Sequence, residues 1–455
     1  MNSHEKFKFK TIDELLEKAK ELKVDIPYSK DFSSLKGEIQ LKDARIPNKM
    51  VVNPMEGCDG ELDGSPGELT YRRYKRFSRG GAGILWFEAT AVVPEGRANP
   101  RQLAINEKNV DKFKYLVESS VKEGKKLNGS DYEPYKVLQL THSGRYSRPV
   151  KNMEPIVPVS NPYLDKKEID NYHIITDDEL ELLEDKFVEA AKLAKQAGFD
   201  AVDIKSCHRY LCSELLSSHT RNGKYGGSFE NRTRFLLNVI DKIREKLGNS
   251  IGITVRLNVY DAHPYPYGFG VSKEDNIKPD LEEPIRLVKE LSKRGIEILN
   301  VTAGNPYYNP HIGRPYDAGP YIPKEHPLEA IGRFMKLTKT ISKEVPEMKI
   351  IAPGFSWLRQ FAPNIMAGAI EKEYCQLVGF GRQSFAYPDF ARDIINNDGL
   401  DPKKCCISCS KCTEMMRDGG VTGCVIHDKE MYLKKYLKGR ESKPTQVGKH
   451  IADHL

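Results

Sequence analysis

Cys406, Cys409 and Cys412 form a CxxCxxC run inside CCISCSKC, and Cys424 follows after the eleven residues TEMMRDGGVTG. Thiolates at that spacing hold metal. A structural zinc takes four tetrahedral ligands, usually from two separated CxxC knuckles. Three ligands in one compact loop and a fourth from a neighbouring segment suit a 4Fe-4S cubane better. A disulfide framework fits poorly, because the nine cysteines are odd in number and cluster at one end. Using Cys405 in place of Cys406 would widen the first gap to three residues, so Cys406, Cys409, Cys412 and Cys424 are the expected ligands. Cys58, Cys207, Cys212 and Cys375 stand apart and read as small buried hydrophobes.

A second set of polar residues interrupts apolar runs. Gln139, Thr141, His142 and Arg145 lie in and after KVLQL; Lys205, His208 and Tyr210 follow FDAVDI; Arg256 ends GITVR. A buried glutamine offers donor and acceptor together, which suits the mixed edge of an isoalloxazine ring, and a cation beside that edge stabilises a reduced, anionic flavin. His142 taken singly reads as a satisfied structural residue. Gly354 closes KIIAPG, and Gly381 with Arg382 closes CQLVGFGR. Glycine lets backbone N–H groups approach a phosphate, and arginine adds a bidentate contact.

These residues need elements that bring them to one end. TIDELLEKAKEL opens the chain as a helix with a capping box, Thr11 to Glu14, and Pro27 is expected to stop it. Eight short β-rich runs come next: MVVNP, GILWFEA, KVLQL, FDAVDI, GITVRL, IEILNV, KIIAPG and CQLVGFG. Amphipathic stretches separate them, such as LELLEDKFVEAAKLAKQAG and ENRTRFLLNVIDKIREKLG. Strand followed by helix, repeated about eight times, predicts a (β/α)8 TIM barrel, with chemistry at the C-terminal strand ends and phosphate after the seventh and eighth. No GxGxxG comes after the first strand, so an open dinucleotide-binding sheet is not expected. The expected division is a helical lead-in at 1–34, the barrel at 35–400 and a cysteine segment with a tail at 401–455.

The runs NPMEG (53–57), GGAGILWFEATAVVPEGR, LQLTHSGR, GFDAVDIKSCHRYL, YGGSFENRTRFL, VRLNV and FGRQSFAYPDFARD resemble, in order, the old yellow enzyme family. The resemblance is closer to its iron–sulfur branch of 2,4-dienoyl-CoA reductase, trimethylamine dehydrogenase and bile-acid-inducible oxidoreductases. It implies an FMN-binding barrel that passes hydride to the β-carbon of an activated alkene while a protein acid protonates the α-carbon. By position it implies flavin contacts from Pro54, Met55, Glu56, Gln139 and Arg256, and phosphate contacts from Gly354, Gly381 and Arg382. Tyr210 matches the tyrosine proton donor and His208 one of the pair that holds the substrate carbonyl. Lys205 replaces the other member, usually histidine, and Arg209 a glycine; an ammonium can still polarise a carbonyl. Glu56 stands where relatives place threonine or cysteine. The loop AGNPYYNPHIGRPYD resembles a substrate-facing loop, and its His311 is carried over as a candidate. The branch also carries a 4Fe-4S cluster after the barrel, although the dienoyl-CoA reductase type spaces its second and third cysteines one residue wider.

The implied activity is an FMN- and 4Fe-4S-dependent ene-reductase acting on an α,β-unsaturated carbonyl compound: a 3-oxo steroid or bile-acid-like enone, an enoate or an enoyl thioester. An oxidative N-demethylase of the trimethylamine dehydrogenase type is the alternative, disfavoured because Lys205 and Arg209 in the pocket would repel a cationic amine. Larger relatives continue into flavin- and nicotinamide-binding domains, and this sequence stops soon after Cys424. A separate electron-donor protein, reductase or ferredoxin-like, is therefore expected, with direct reduction by NAD(P)H as the alternative.

Composition bounds the rest. The 455 residues carry 39% hydrophobic and 30% charged side chains, ordinary for a globular protein. The net charge of +7 is spread among interleaved acids, so no nucleic-acid partner is expected, and the mildly basic tail YLKKYLKGRESKP reads as a polar end. No signal core or membrane span is legible, which predicts a cytoplasmic protein, either monomer or homo-oligomer.

Overall fold

Eight parallel strands close on one another: Met50–Val52 (β1), Ile84–Ala91 (β2), Tyr135–Thr141 (β3), Ala201–Ser206 (β4), Gly252–Tyr260 (β5), Ile298–Ala303 (β6), Lys349–Ala352 (β7) and Leu377–Phe380 (β8). Each pairs with its sequence neighbour, and β8 returns to β1 through Val378 with Met50 and Phe380 with Val52. This computed structural model describes residues 4–166, 172–275 and 278–441; the tail beyond Glu441 lies outside them. The expected (β/α)8 barrel is the observed fold, and each of the eight β-rich runs supplies one strand.

Both helical stretches read from apolar spacing form, at Asp177–Gln196 and Phe229–Leu247. The opening helix spans Ile12–Glu21, with the Thr11 hydroxyl accepting from the Glu14 N–H; Glu14 reaches back to the Lys10 N–H rather than to Thr11. It ends at Leu22, well before Pro27, so proline is not its stop.

The lumen is layered. Val51, Ile84, Trp86, Val137, Ile298 and Ile351 fill its lower half, and the strand pair Ile39–Gln40 with Arg45–Ile46 plugs the bottom, Ile39 and Ile46 joining the same apolar cluster. Burying such a side chain stabilises by roughly 1.5–3 kcal/mol. Above this layer the inward residues turn polar: Asn53 accepts from Asn300 at 2.9 Å, and Asp203 takes the Trp86 indole N–H at 3.0 Å. A larger apolar layer lies between strands and outer helices.

The cysteine-rich segment folds back over the C-terminal mouth. The Thr422 N–H donates to the Gly57 carbonyl at 2.6 Å, Arg417 to the Pro306 carbonyl at 2.8 Å, and Asp428 is clamped by Arg72 and Arg76. Among the described residues no helix is long and apolar enough to cross a membrane.

Candidate active site

One deep cleft opens at the C-terminal ends of the strands, floored by Asn53, Pro54 and Met55 after β1 and roofed by Cys412, Thr413 and Met416. Gln139, from β3, and Arg256, from β5, face it on either side of Asp203 on β4. Asp203 accepts from the Gln139 side-chain amide at 2.6 Å, the Trp86 indole at 3.0 Å and the Arg256 backbone N–H at 2.6 Å. Burial pushes its carboxyl up to about 6, and these donors offset part of that shift. With its amide nitrogen on Asp203, Gln139 presents its carbonyl edge to the cleft. The Arg256 Nε is buried without a partner among the described residues, and a buried donor left so needs a ligand.

At the wall after β4, Lys205 Nζ lies 3.1 Å from Glu56 Oε1, and the Tyr210 hydroxyl donates to the same oxygen at 2.9 Å. The ammonium also sits 3.6 Å from the centre of the Tyr210 ring. Tyr307 approaches the Tyr210 hydroxyl at 3.2 Å and stacks on Tyr146 at 3.9 Å. The chain reaches this arrangement through two consecutive left-handed residues, His208 at φ 63 and Arg209 at φ 61. Such strain persists only when surroundings impose it. Arg209 supplies the hold: it points away from the cleft to Asp261 at 2.9 Å and to Glu214. The expectation that Arg209 charges the pocket is thereby corrected, and Lys205 is neutralised by Glu56, so charge repulsion no longer argues against an amine.

Tyr210 is buried, and desolvation, then the Glu56 carboxylate, hold its phenol well above the ordinary range. His208 lines the cleft; burial, then Arg256 and Lys205, keep it well below the usual histidine range, so its ring is neutral with one N–H to donate.

At the far end of the cleft, past β7 and β8, lie Gly354, Ser356, Gly381 and Arg382. Gly354 adopts φ +97, a conformation that favours glycine, and a Cβ on Gly381 would meet the sulfur of Met55 in the cleft floor at 3.0 Å. Arg382 Nη1 and Arg314 Nη2 are buried and unpartnered among the described residues. Burial first, then Arg382 and Arg417, push the Arg314 guanidinium down to about 9. Two guanidiniums that border this space, each with an unpartnered buried nitrogen, can hold an anion there. The residues present therefore fit FMN, phosphate at this end and ring beside Gln139 and Arg256.

Cys406, Cys409, Cys412 and Cys424 all line one small cavity, with Cys412 and Arg382 shared with the main cleft. Cys405 is not among its walls; its sulfur faces the Asp401 carbonyl at 3.4 Å. The Ser408 N–H reaches Cys406 Sγ at 3.4 Å, and the His427 N–H reaches Cys424 Sγ at 3.3 Å. Among the described residues no three His, Cys, Asp or Glu side chains converge tightly enough for a single ion. Cys58, Cys207, Cys212 and Cys375 are buried.

His311 is corrected: it does not line the cleft but bonds Tyr321 at 2.5 Å, with Glu325 at 3.8 Å. The loop after β6 reaches the cleft through Tyr307 and Arg314 instead. Asp203 and Ser356 were also missed; a buried aspartate inside a strand carries no spacing signal.

Known proteins share this architecture. Residues 37–399 match the family described as NADH:flavin oxidoreductase / NADH oxidase. The chain is 31% identical over 267 residues to the NADPH dehydrogenase of Clostridium acetobutylicum, covering 58% of this chain and 72% of that one. It is 28% identical over 389 residues to the NADH oxidase of Thermoanaerobacter brockii, covering 83% of this chain and 53% of that one; it thus spans about half the length of that relative. A 2-naphthoyl-CoA reductase bound to 2-naphthoyl-CoA superposes with a TM-score of 0.72 at 19% identity, covering 91% of this chain and 58% of that one, a likeness of fold.

Proposed function

Because the chain belongs to the NADH:flavin oxidoreductase / NADH oxidase family and is a flavin-dependent oxidoreductase, we propose that it reduces the C=C bond of an α,β-unsaturated carbonyl compound. The observation that carries this reading is the placement, on one wall of the cleft, of the His208 ring beside the buried hydroxyl of Tyr210. Such a pair can hold a carbonyl oxygen and protonate the neighbouring carbon.

FMN is the flavin that fits. Gln139, Arg256 and the Pro54-Met55 floor would hold its ring, and Gly354, Ser356, Gly381, Arg314 and Arg382 its phosphate. When bound and reduced, it supplies hydride to the β-carbon. His208 then donates to the carbonyl oxygen as negative charge gathers there, and Tyr210 gives its proton to the α-carbon. Pro306 and Tyr307, from the loop after β6, line the cleft beside this wall.

Cys406, Cys409, Cys412 and Cys424 are proposed to hold a 4Fe-4S cluster, supported by their spacing and by their common cavity. Since Cys412 borders both cavities, electrons from a donor protein would enter there, with NAD(P)H as the competing route. Residues 35–400 would then form the FMN barrel and 401–455 the cluster segment with its C-terminal tail, the part beyond Glu441 lying outside the described residues.

Anaerobic reconstitution with FMN, iron and sulfide, and then reoxidation of the reduced protein with a panel of cyclic enones, enoates and enoyl thioesters against a panel of methylamines, tests this. Fast reoxidation by an enone-class compound is expected. A protein that binds no FMN, or that amines reduce while no enone reoxidises it, overturns the reading.

A further inference from the structure

Tyr210 is 2% exposed, and the acceptor of its hydroxyl is Glu56, which also receives the Lys205 ammonium on the same oxygen. A phenol that gives up its proton here is left as a phenolate against a carboxylate, in a buried wall. That state is costly, so the oxygen must be re-protonated by a neighbour rather than wait for solvent. The Glu56 side chain is 16% exposed and the Lys205 side chain 4%. Tyr307, its other hydroxyl neighbour, is itself a phenol that desolvation and then the Glu56 charge hold above the ordinary range, and it cannot make up the loss.

We propose that Lys205 and Glu56 are the proton supply of Tyr210: as the phenolic proton leaves for substrate, Glu56 passes to the phenolic oxygen a proton taken from the Lys205 ammonium. The inference rests on the ene-reductase reading. The β-carbon takes hydride, with its electron pair, from the reduced flavin, and the α-carbon takes the Tyr210 proton as its new C–H bond forms. The Tyr210 O–H is restored from Glu56, the Glu56 carboxylate is regenerated, and Lys205 is left as a neutral amine that regains its proton through Glu56, whose side chain at 16% exposure is the one that meets water at the cleft mouth. The resting charges of +1 and −1 thus relax to a single carboxylate instead of a phenolate, a carboxylate and an ammonium. Lys205 is a positioning and proton-supplying residue acting through Glu56, not a carbonyl clamp; its ammonium is committed to Glu56 and to the Tyr210 ring.

Charged and titratable groups face this unit from several elements: Glu88 on β2 and Cys58 beside the Glu56 loop feel the Glu56 charge, Arg256 and Lys205 act on His208, and Tyr307 closes the other side. The test therefore reads Tyr210 itself. FMN-loaded protein carrying tyrosine labelled with carbon-13 at Cζ, its Tyr210 signal assigned by loss in Tyr210→Phe, is titrated by NMR alongside Glu56→Gln and Lys205→Met. The expected result is opposite displacement: Tyr210 ionises at lower pH in Glu56→Gln, which removes the carboxylate, and at higher pH in Lys205→Met, which removes the cation. Turnover with an enone is measured on the same samples. Both variants should lose at least ten-fold in kcat with KM within about three-fold. Unmoved Tyr210 titrations, or kcat within two-fold of wild type while Tyr210→Phe is inactive, overturn the proton supply and leave the ene-reductase reading standing. Wild-type protein that carries FMN yet reduces no enone overturns both, and the Tyr210 titrations then report only an electrostatic coupling.

Discussion

Gln139 donates its side-chain amide N–H to Asp203 at 2.6 Å across the β3–β4 pair, and that contact fixes which edge of the glutamine faces the cleft. Asp203 serves three donors at once. Asp203→Ala leaves the Gln139 amide, the Trp86 indole and the Arg256 backbone N–H buried without it, each costing about 1–3 kcal/mol when unsatisfied. The expected outcome is a loss of at least about 2 kcal/mol in urea unfolding and FMN affinity weakened ten-fold or more in a fluorescence titration.

The same aspartate gives a pH signature. Its carboxyl is raised from 3.8 to about 6 in the folded protein, so the folded state binds the proton more tightly than the unfolded chain. Its contribution is full below about 4 and is lost as pH rises through about 6, up to about 3 kcal/mol in all. Asp203→Asn removes this titration. The stability gap between wild type and Asp203→Asn should therefore move against wild type between pH 4 and pH 6 and stay flat above pH 7, as urea midpoints across that range would show.

Arg314 and Arg382 set a different test. Two buried guanidiniums facing the same space repel, and an anion between them relieves both. Saturating FMN or inorganic phosphate should raise the melting temperature by several degrees, less at high salt. Arg314→Gln should weaken FMN binding ten-fold or more while making the flavin-free protein no less stable, because a repulsion is removed. An Arg314→Gln protein that binds FMN as wild type does would exclude this arginine from the phosphate site.

The barrel was legible because its signals are periodic and local: eight β-rich runs, helices between them, and polar residues at the strand ends. The phosphate glycines and Arg382 were legible because the fold says where to look. Glu56 was noticed as an odd residue, but its bond to Tyr210 joins positions far apart in sequence, and no spacing rule reports that. Arg209 and His311 were misplaced for one reason: residue type says what a side chain can do, whereas φ of 61 at Arg209 and the Tyr321 contact at His311 decide where it points. Arg314 was hidden in a loop whose shape, not its pattern, turns it inward.

Cysteine substitutions separate the proposed ligands from their neighbour. Alanine at Cys406, Cys409, Cys412 or Cys424 should each reduce bound iron and sulfide well below wild type, since each removes one of the four thiolates proposed to hold the cubane. Cys405→Ala should retain both, because its sulfur faces the Asp401 carbonyl. Loss of iron in Cys405→Ala with retention in Cys406→Ala would shift the ligand set by one residue.

Asp428 ties the cysteine segment to the barrel through Arg72 at 2.7 and 2.9 Å and through Arg76, with its own side chain 8% exposed and the arginines 36% and 30%. A carboxylate so enclosed, with two half-exposed cations, contributes more than a surface pair and less than a fully buried one, on the order of 1–3 kcal/mol. Asp428→Asn leaves the barrel's own contacts intact, so flavin content should hold. The helix Lys429–Glu441 and the Cys424 loop should loosen together, since Asp428 also donates its N–H to the Cys424 carbonyl at 3.1 Å. Limited proteolysis should cut the variant after Cys412 several-fold faster than wild type, and iron should leave faster under a chelator while FMN stays bound. Equal rates for both proteins would mean that the apolar contacts of Met415, Val425 and Tyr432 hold the segment without the clamp.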